Sequence, residues 1–163
     1  MQKGVDPLRF VYAKGLRNPY GIDIHPVSGT PFVTDNGPDM CDELNLGHQG
    51  ANFGNPAVEC SGQDARYDDP IWESGVDRLG VTGLRIYRGA MFPDYVNHAL
   101  FCSVNTGNLM HALLSAPSYD RVERVEQVVD GSDGDGCRLD LAVAADGSIY
   151  YASMSKIFRL SRG

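Results

Sequence analysis

The sequence predicts an all-β fold, a β-propeller of about three four-stranded blades. Three observations point there: short strand-like runs dominate, strand–turn–strand units recur, and no convincing amphipathic helix pattern appears. A chain of 163 residues suits one domain with a real hydrophobic core. We therefore read 1–163 as a single partial propeller. Its blades lie at approximately 8–50, 70–117 and 120–163, with a long polar loop over 51–77.

The first strand runs are 10–16, 20–25 and 31–34. They are rich in β-branched and aromatic residues and bounded by Gly, Pro or Asn. The pattern returns at 81–87, 99–104, 109–114 and 122–129, and again at 139–144, 148–152 and 156–160. GIDIHPVSGTPFVTDN, GLRIYRGAMFPDYVNHALFCSV and DLAVAADGSIYYASM each run strand, turn, strand, and they begin about 60 residues apart. Four strands and their loops fill that distance. Propellers need about four to eight blades to close a ring. The expectation is therefore a fragment, completed by a missing N-terminal half or by a second copy of the chain. An isolated copy would leave open blade edges, a liability in water.

Apolar residues make up 42% and charged residues 21%, with a formal net charge of −7. That balance fits a soluble globular protein. Lys and Arg are scattered, which excludes the basic face a nucleic acid or anionic lipid needs. No apolar run approaches the roughly 18 residues that cross a bilayer, so no membrane partner is expected. Cys41, Cys60, Cys102 and Cys137 lack the close ligand pair of a zinc site. Two alternatives stand for them: bridges Cys41–Cys60 and Cys102–Cys137, as in an oxidising compartment, or four buried free thiols.

Two stretches hold candidate chemistry. In GLRNPYGI, Arg17 and Asn18 offer a planar cationic fork and an amide suited to a carboxylate or quinone oxygen; a surface Arg before an Asn-Pro turn is the alternative. In TDNGPDMCDELN, the carbonyls of Gly37 and Pro38 and the carboxylates of Asp42 and Glu43 are hard oxygen ligands of the kind calcium takes. The alternative there is a solvated acidic turn, and no EF-hand pattern is present. A second acidic loop, GSDGDG at 131–136, reads as solvated. His25, His48, His98 and His111 are dispersed and read as packing or surface residues.

GLRNPYGI, then TDNGPDMCDELN, then GANFGNP resemble, in order and spacing, motifs of the soluble glucose/sorbosone dehydrogenase family. VTGLRIYRGAMFP and DLAVAADGSIYYAS extend the resemblance, which spans nearly the whole chain but only the C-terminal half of that family's six-bladed propeller. The resemblance implies a sugar (aldose) dehydrogenase that uses pyrroloquinoline quinone (PQQ) and calcium, with a sugar as substrate, secreted or periplasmic. Carried over by position, it implies that Arg17 and Asn18 contact the quinone and that Gly37 and Pro38 hold the cofactor's calcium through main-chain carbonyls. Asp42, Glu43 and the main chain of Phe53 would hold a neighbouring structural calcium. The family's general-base His belongs to the half this chain does not contain, so no catalytic residue is assigned here.

The chain also departs from the family. Asn105 stands near the place of a cofactor-contacting Lys. The R-x-R-D pattern reads Cys137-Arg138-Leu139-Asp140, and the aromatic pair of NYGWP has become Phe53 and Asn55. Each lost charged hydrogen bond would weaken quinone binding by about 1.5–3 kcal/mol. These losses support an alternative, a non-catalytic propeller binding a protein or glycan, like the Hedgehog-interacting relatives of this superfamily.

Overall fold

The computed structural model describes residues 10–62 and 64–162. Among them are thirteen strands and one short 3-10 turn, Pro93–Tyr95, with no α-helix. The fold is that of a β-propeller, and three antiparallel sheets form successive blades.

The first blade orders its strands β2 (Pro19–Ile24), β3 (Pro31–Asp35), β4 (Glu43–Leu46) and β6 (Trp72–Glu73). The β2–β3 turn closes through His25 N–H to Thr30 O (2.8 Å) and Gly29 N–H to His25 O (2.9 Å). Gly29 adopts φ +71°, a conformation that glycine takes without strain. The second blade is β7 (Val81–Ile86), β8 (Ala99–Ser103), β9 (Leu109–Leu114) and β10 (Val122–Val129), paired in sequence order. The third contains β11 (Leu141–Val143), β12 (Ile149–Ala152) and β13 (Ile157–Leu160), so it carries three strands among the described residues where four were expected.

The stretch 51–77, read as one long loop, supplies two strands. β5 (Ala51–Asn52) pairs in parallel with β1 (Ala13–Lys14), a two-residue remnant of the run expected at 10–16. β6 completes the first blade by pairing with β4. Two-residue strands have no periodicity to read, which is why the sequence conceals them.

Blades stack face to face. Phe32 and Leu44 of the first meet Val81, Leu84, Ile86 and Phe101 of the second. Tyr87, Leu100 and Cys102 of the second meet Leu141, Ile149 and Tyr151 of the third. Leu100 and Phe101 therefore serve opposite interfaces, as alternation along a strand requires. The middle blade is covered on both faces, so β8 is buried at all five residues.

Polar ties hold neighbouring blades together. Thr34 Oγ1 donates to Thr82 O (2.7 Å), Thr82 Oγ1 to Arg138 O (3.0 Å) and Gly83 N–H to Leu139 O (2.9 Å). The Asp23 carboxylate accepts from Ile86 N–H (2.8 Å) and from Arg88 (2.9 and 3.0 Å). A Cβ on Gly83 would lie 2.3 Å from an Asp140 carboxylate oxygen, so this close blade contact requires glycine.

Both cysteine pairs are disulfides, Cys41–Cys60 and Cys102–Cys137, and the free-thiol alternative falls. The second crosses from β8 to the segment before β11 and links two blades. Among the described residues no helix is long and apolar enough to cross a membrane.

Candidate functional site

The site grows from the end of β3. Asp35 is almost fully buried, and its carboxylate accepts the backbone N–H of Arg17 (2.8 Å) and of Asn18 (2.6 Å). One buried carboxylate therefore sets the path of the GLRNP segment. Burial raises the Asp35 carboxyl above its ordinary value, against the pull of these N–H bonds. Arg17 Nη1 in turn donates to Gly37 O (3.1 Å) and Asn36 O (3.3 Å). Arg17 and Asn18 are otherwise exposed to solvent.

The Asn36–Asp42 turn is held from within. The Asp42 carboxylate accepts from Gly37 N–H (3.2 Å) and Gly80 N–H (2.7 Å), and Asp42 N–H donates to Ser74 Oγ (3.0 Å). A Cβ on Gly37 would sit 1.8 Å from Met40 O, so the turn closes only over glycine. Cys41 N–H donates to Gly75 O (2.7 Å), and the Cys41–Cys60 bridge joins the turn to the 51–77 stretch.

The Gly37–Pro38 turn separates two clefts. One is lined by Arg17, Asp35, Gly37, Pro38, Glu43 and Phe53, together with Gly15, Asn36, Asn55, Val58 and Glu59. The other is lined by Asn36, Gly37, Pro38, Asp39, Asp42, Arg78, Gly80 and Asn105. The structure thus gathers Arg17, Gly37, Pro38, Glu43 and Phe53 about one space. Asp42 faces the second cleft, because neighbouring residues at the start of β4 point to opposite sides.

Glu43 shows the strongest electrostatic signal in the site. Strand pairing sets it opposite Asp35 on one side and Glu73 on the other, a row of three acidic residues across the sheet. Burial, reinforced by the negative charges of Asp35, Glu73 and Asp42, pushes Glu43 up to about 7, although Asn45 Nδ2 donates to it at 2.9 Å. Like charges directly opposite one another destabilise a sheet. The buried Oδ1 atoms of Asn36 and Asn45 have no hydrogen-bond partner among the described residues. Acceptor oxygens in excess of donors make an environment that a hard cation relieves. The Cys41 and Cys60 sulfurs also lie near the Glu73 carboxylate, but as a disulfide they supply no thiolate ligand.

Two residues at the departures from the resembled motifs, Arg138 and Asn105, have structural tasks. Arg138 donates to Val104 O (2.5 Å), Asn105 O (3.3 Å) and Gly131 O (3.2 Å), tying loops together. Asn105 Nδ2 donates to Arg78 O (3.0 Å). The histidines lie away from both clefts. His25 is buried, with Nε2 on Asn97 O and Nδ1 accepting from Val27 and Ser28. His98 Nδ1 accepts from Leu114 N–H, His111 pairs with Glu126, and His48 pairs with Asp68 at the surface.

Sequence reasoning gave no role to Asp35, Glu73 or Arg78. Asp35 did stand within the acidic stretch, but its use as a backbone acceptor depends on the β2–β3 fold. Glu73 reaches Glu43 only through β6.

The family model for glucose/sorbosone dehydrogenases matches residues 2–160. The aldose sugar dehydrogenase YliI of Escherichia coli K12 is 23% identical over 147 residues, which is 76% of this chain and 39% of that protein. A Thermus thermophilus structure described as a glucose dehydrogenase oxidoreductase superposes with a TM-score of 0.74 at 30% identity, over 88% of this chain and 41% of its own. The PQQ-bound aldose sugar dehydrogenase of Streptomyces coelicolor superposes with a TM-score of 0.75 at 20% identity, over 93% and 45%, a likeness of fold. The chain spans less than half the length of each of these relatives.

Proposed function

Since this chain belongs to the glucose/sorbosone dehydrogenase family, we propose that it forms the cofactor-side half of a PQQ- and calcium-dependent aldose dehydrogenase. Its remaining blades would come from further chain or from a partner. The observation that carries the reading is the cleft that brings Arg17, Gly37, Pro38, Glu43 and Phe53 together.

In this reading the Gly37 and Pro38 carbonyls hold the cofactor's calcium, and Arg17 and Asn18 orient the quinone beside it. PQQ, when bound, supplies the two-electron acceptor for oxidation of the sugar. This chain's residues supply position and charge: Arg17 is a planar donor fork for carboxylate or carbonyl oxygens. Its contact with Gly37 O keeps that fork at the turn. Glu43 and the Phe53 main chain form a second, structural calcium site, with Asp35 and Glu73 adding negative charge. Asp42 pins the turn through Gly37 and Gly80. The base that takes the sugar's hydroxyl proton would lie outside this chain, and none of the four histidines lines either cleft. The two disulfides accord with a secreted or periplasmic protein.

The full-length protein, reconstituted with PQQ and calcium, should reduce a dye acceptor when given aldoses. The second reading, a non-catalytic binding propeller, draws on Asn105 and Arg138, whose polar groups are spent on backbone carbonyls. Cofactor-loaded protein inert towards every aldose would favour it.

A further inference from the structure

We propose that Arg78 is a carboxylate-binding residue of the second cleft, so that the anionic quinone is gripped from both sides of the Gly37–Pro38 turn. The inference rests on the PQQ reading above and deepens it. Arg17 stands in one cleft beside that turn and Arg78 in the other, so two guanidinium groups flank the carbonyls assigned to the cation.

The backbone at Arg78 is anchored while its side chain is free to act. Asn105 Nδ2 donates to Arg78 O (3.0 Å), Asn105 N–H donates to Leu79 O (3.1 Å), and Ser103 Oγ also donates to Leu79 O. Gly80 N–H is fixed on Asp42. The Arg78 side chain is 70% exposed, and among the described residues it pairs with Asp39, itself 73% exposed, at 3.6 Å. A pair of that length and exposure is screened by water and adds little stability, so an incoming carboxylate can displace it. Asn105 thereby gains a role: where the family resemblance places a lysine, this chain uses an amide to position an arginine from the neighbouring loop. Arg78 restores positive charge that the sequence departures remove.

The test is equilibrium binding of PQQ to the calcium-loaded full-length protein, followed by quinone absorbance without sugar. Arg78→Ala is expected to weaken binding about 10- to 100-fold, the range of one charge-assisted hydrogen bond. Arg78→Lys should recover part of the loss, because a point charge replaces a planar fork. Asp39→Asn should tighten binding a few-fold by removing the competing carboxylate, a change opposite in sign to any loss of structure. Thermal melts confirm that the variants fold; should Arg78→Ala fail to, Arg78→Lys and Asp39→Asn carry the test. Wild-type binding with unchanged affinity in these variants overturns the role of Arg78 and leaves the PQQ reading intact. A wild-type protein that binds no PQQ overturns both.

Discussion

Replacing Glu43 with Gln should stabilise the metal-free protein at alkaline pH and weaken its response to calcium. Glu43 titrates near 7 instead of its ordinary 4.5, because burial and the facing Asp35 and Glu73 carboxylates oppose its charge. The folded state thus holds a proton between these values that the unfolded state has released. Stability therefore falls as pH rises through that window. At about 1.4 kcal/mol per pH unit the gap corresponds to about 3 kcal/mol. The side chain is partly open to water, and screening reduces this to about 1–2 kcal/mol. For a chain of this size that is a melting shift of about 2–8 °C. The assay compares thermal melts of chelator-treated wild type and Glu43→Gln at pH 5 and pH 8; taking the difference between proteins cancels the other titrating groups. Wild type should lose more stability at pH 8 than the variant. Calcium at about 100 times its Kd should restore about 2.7 kcal/mol to wild type, and less to Glu43→Gln. Equal pH slopes in the two proteins, or no calcium response in wild type, would refute the acidic row as a cation site.

Two further outcomes follow from the turn and the bridges. Gly37→Ala should cost about 2 kcal/mol or more, since its Cβ meets Met40 O at 1.8 Å. Calcium titrations should show binding lost with it, and a variant that melts and binds like wild type would contradict the packing. Replacing Cys102 and Cys137 together with Ser should lower stability by about 4 kcal/mol for their 35-residue separation. Urea unfolding measures this, and an unchanged midpoint would show that the bridge adds nothing to the blade contact.

Much of the fold was legible because blade strands alternate and their turns use Gly, Pro and Asn. The runs at 109–114 and 122–129 match β9 and β10 residue for residue. β4 was not legible: ELNL follows three acidic positions, and its charge masked its pairing. β6 was hidden for another reason, since two residues carry no period and Trp72 pairs only because the first blade needs an outer strand.

The candidate site divides along the same line. Arg17, Asn18, Gly37 and Pro38 could be named from ordered local motifs, because a turn's chemistry is written in consecutive residues. The same motifs set Asp42 beside Glu43. Strand alternation in three dimensions sends one to pin the turn and the other into the cleft. The sequence alone determined the fold class and the motif positions, both of which depend on neighbours along the chain. The tertiary structure decided the row Asp35–Glu43–Glu73 and the place of Arg78 in the cleft beside Gly37, because cross-strand pairing and loop packing bring together residues that are distant along the chain, where no local pattern records the arrangement.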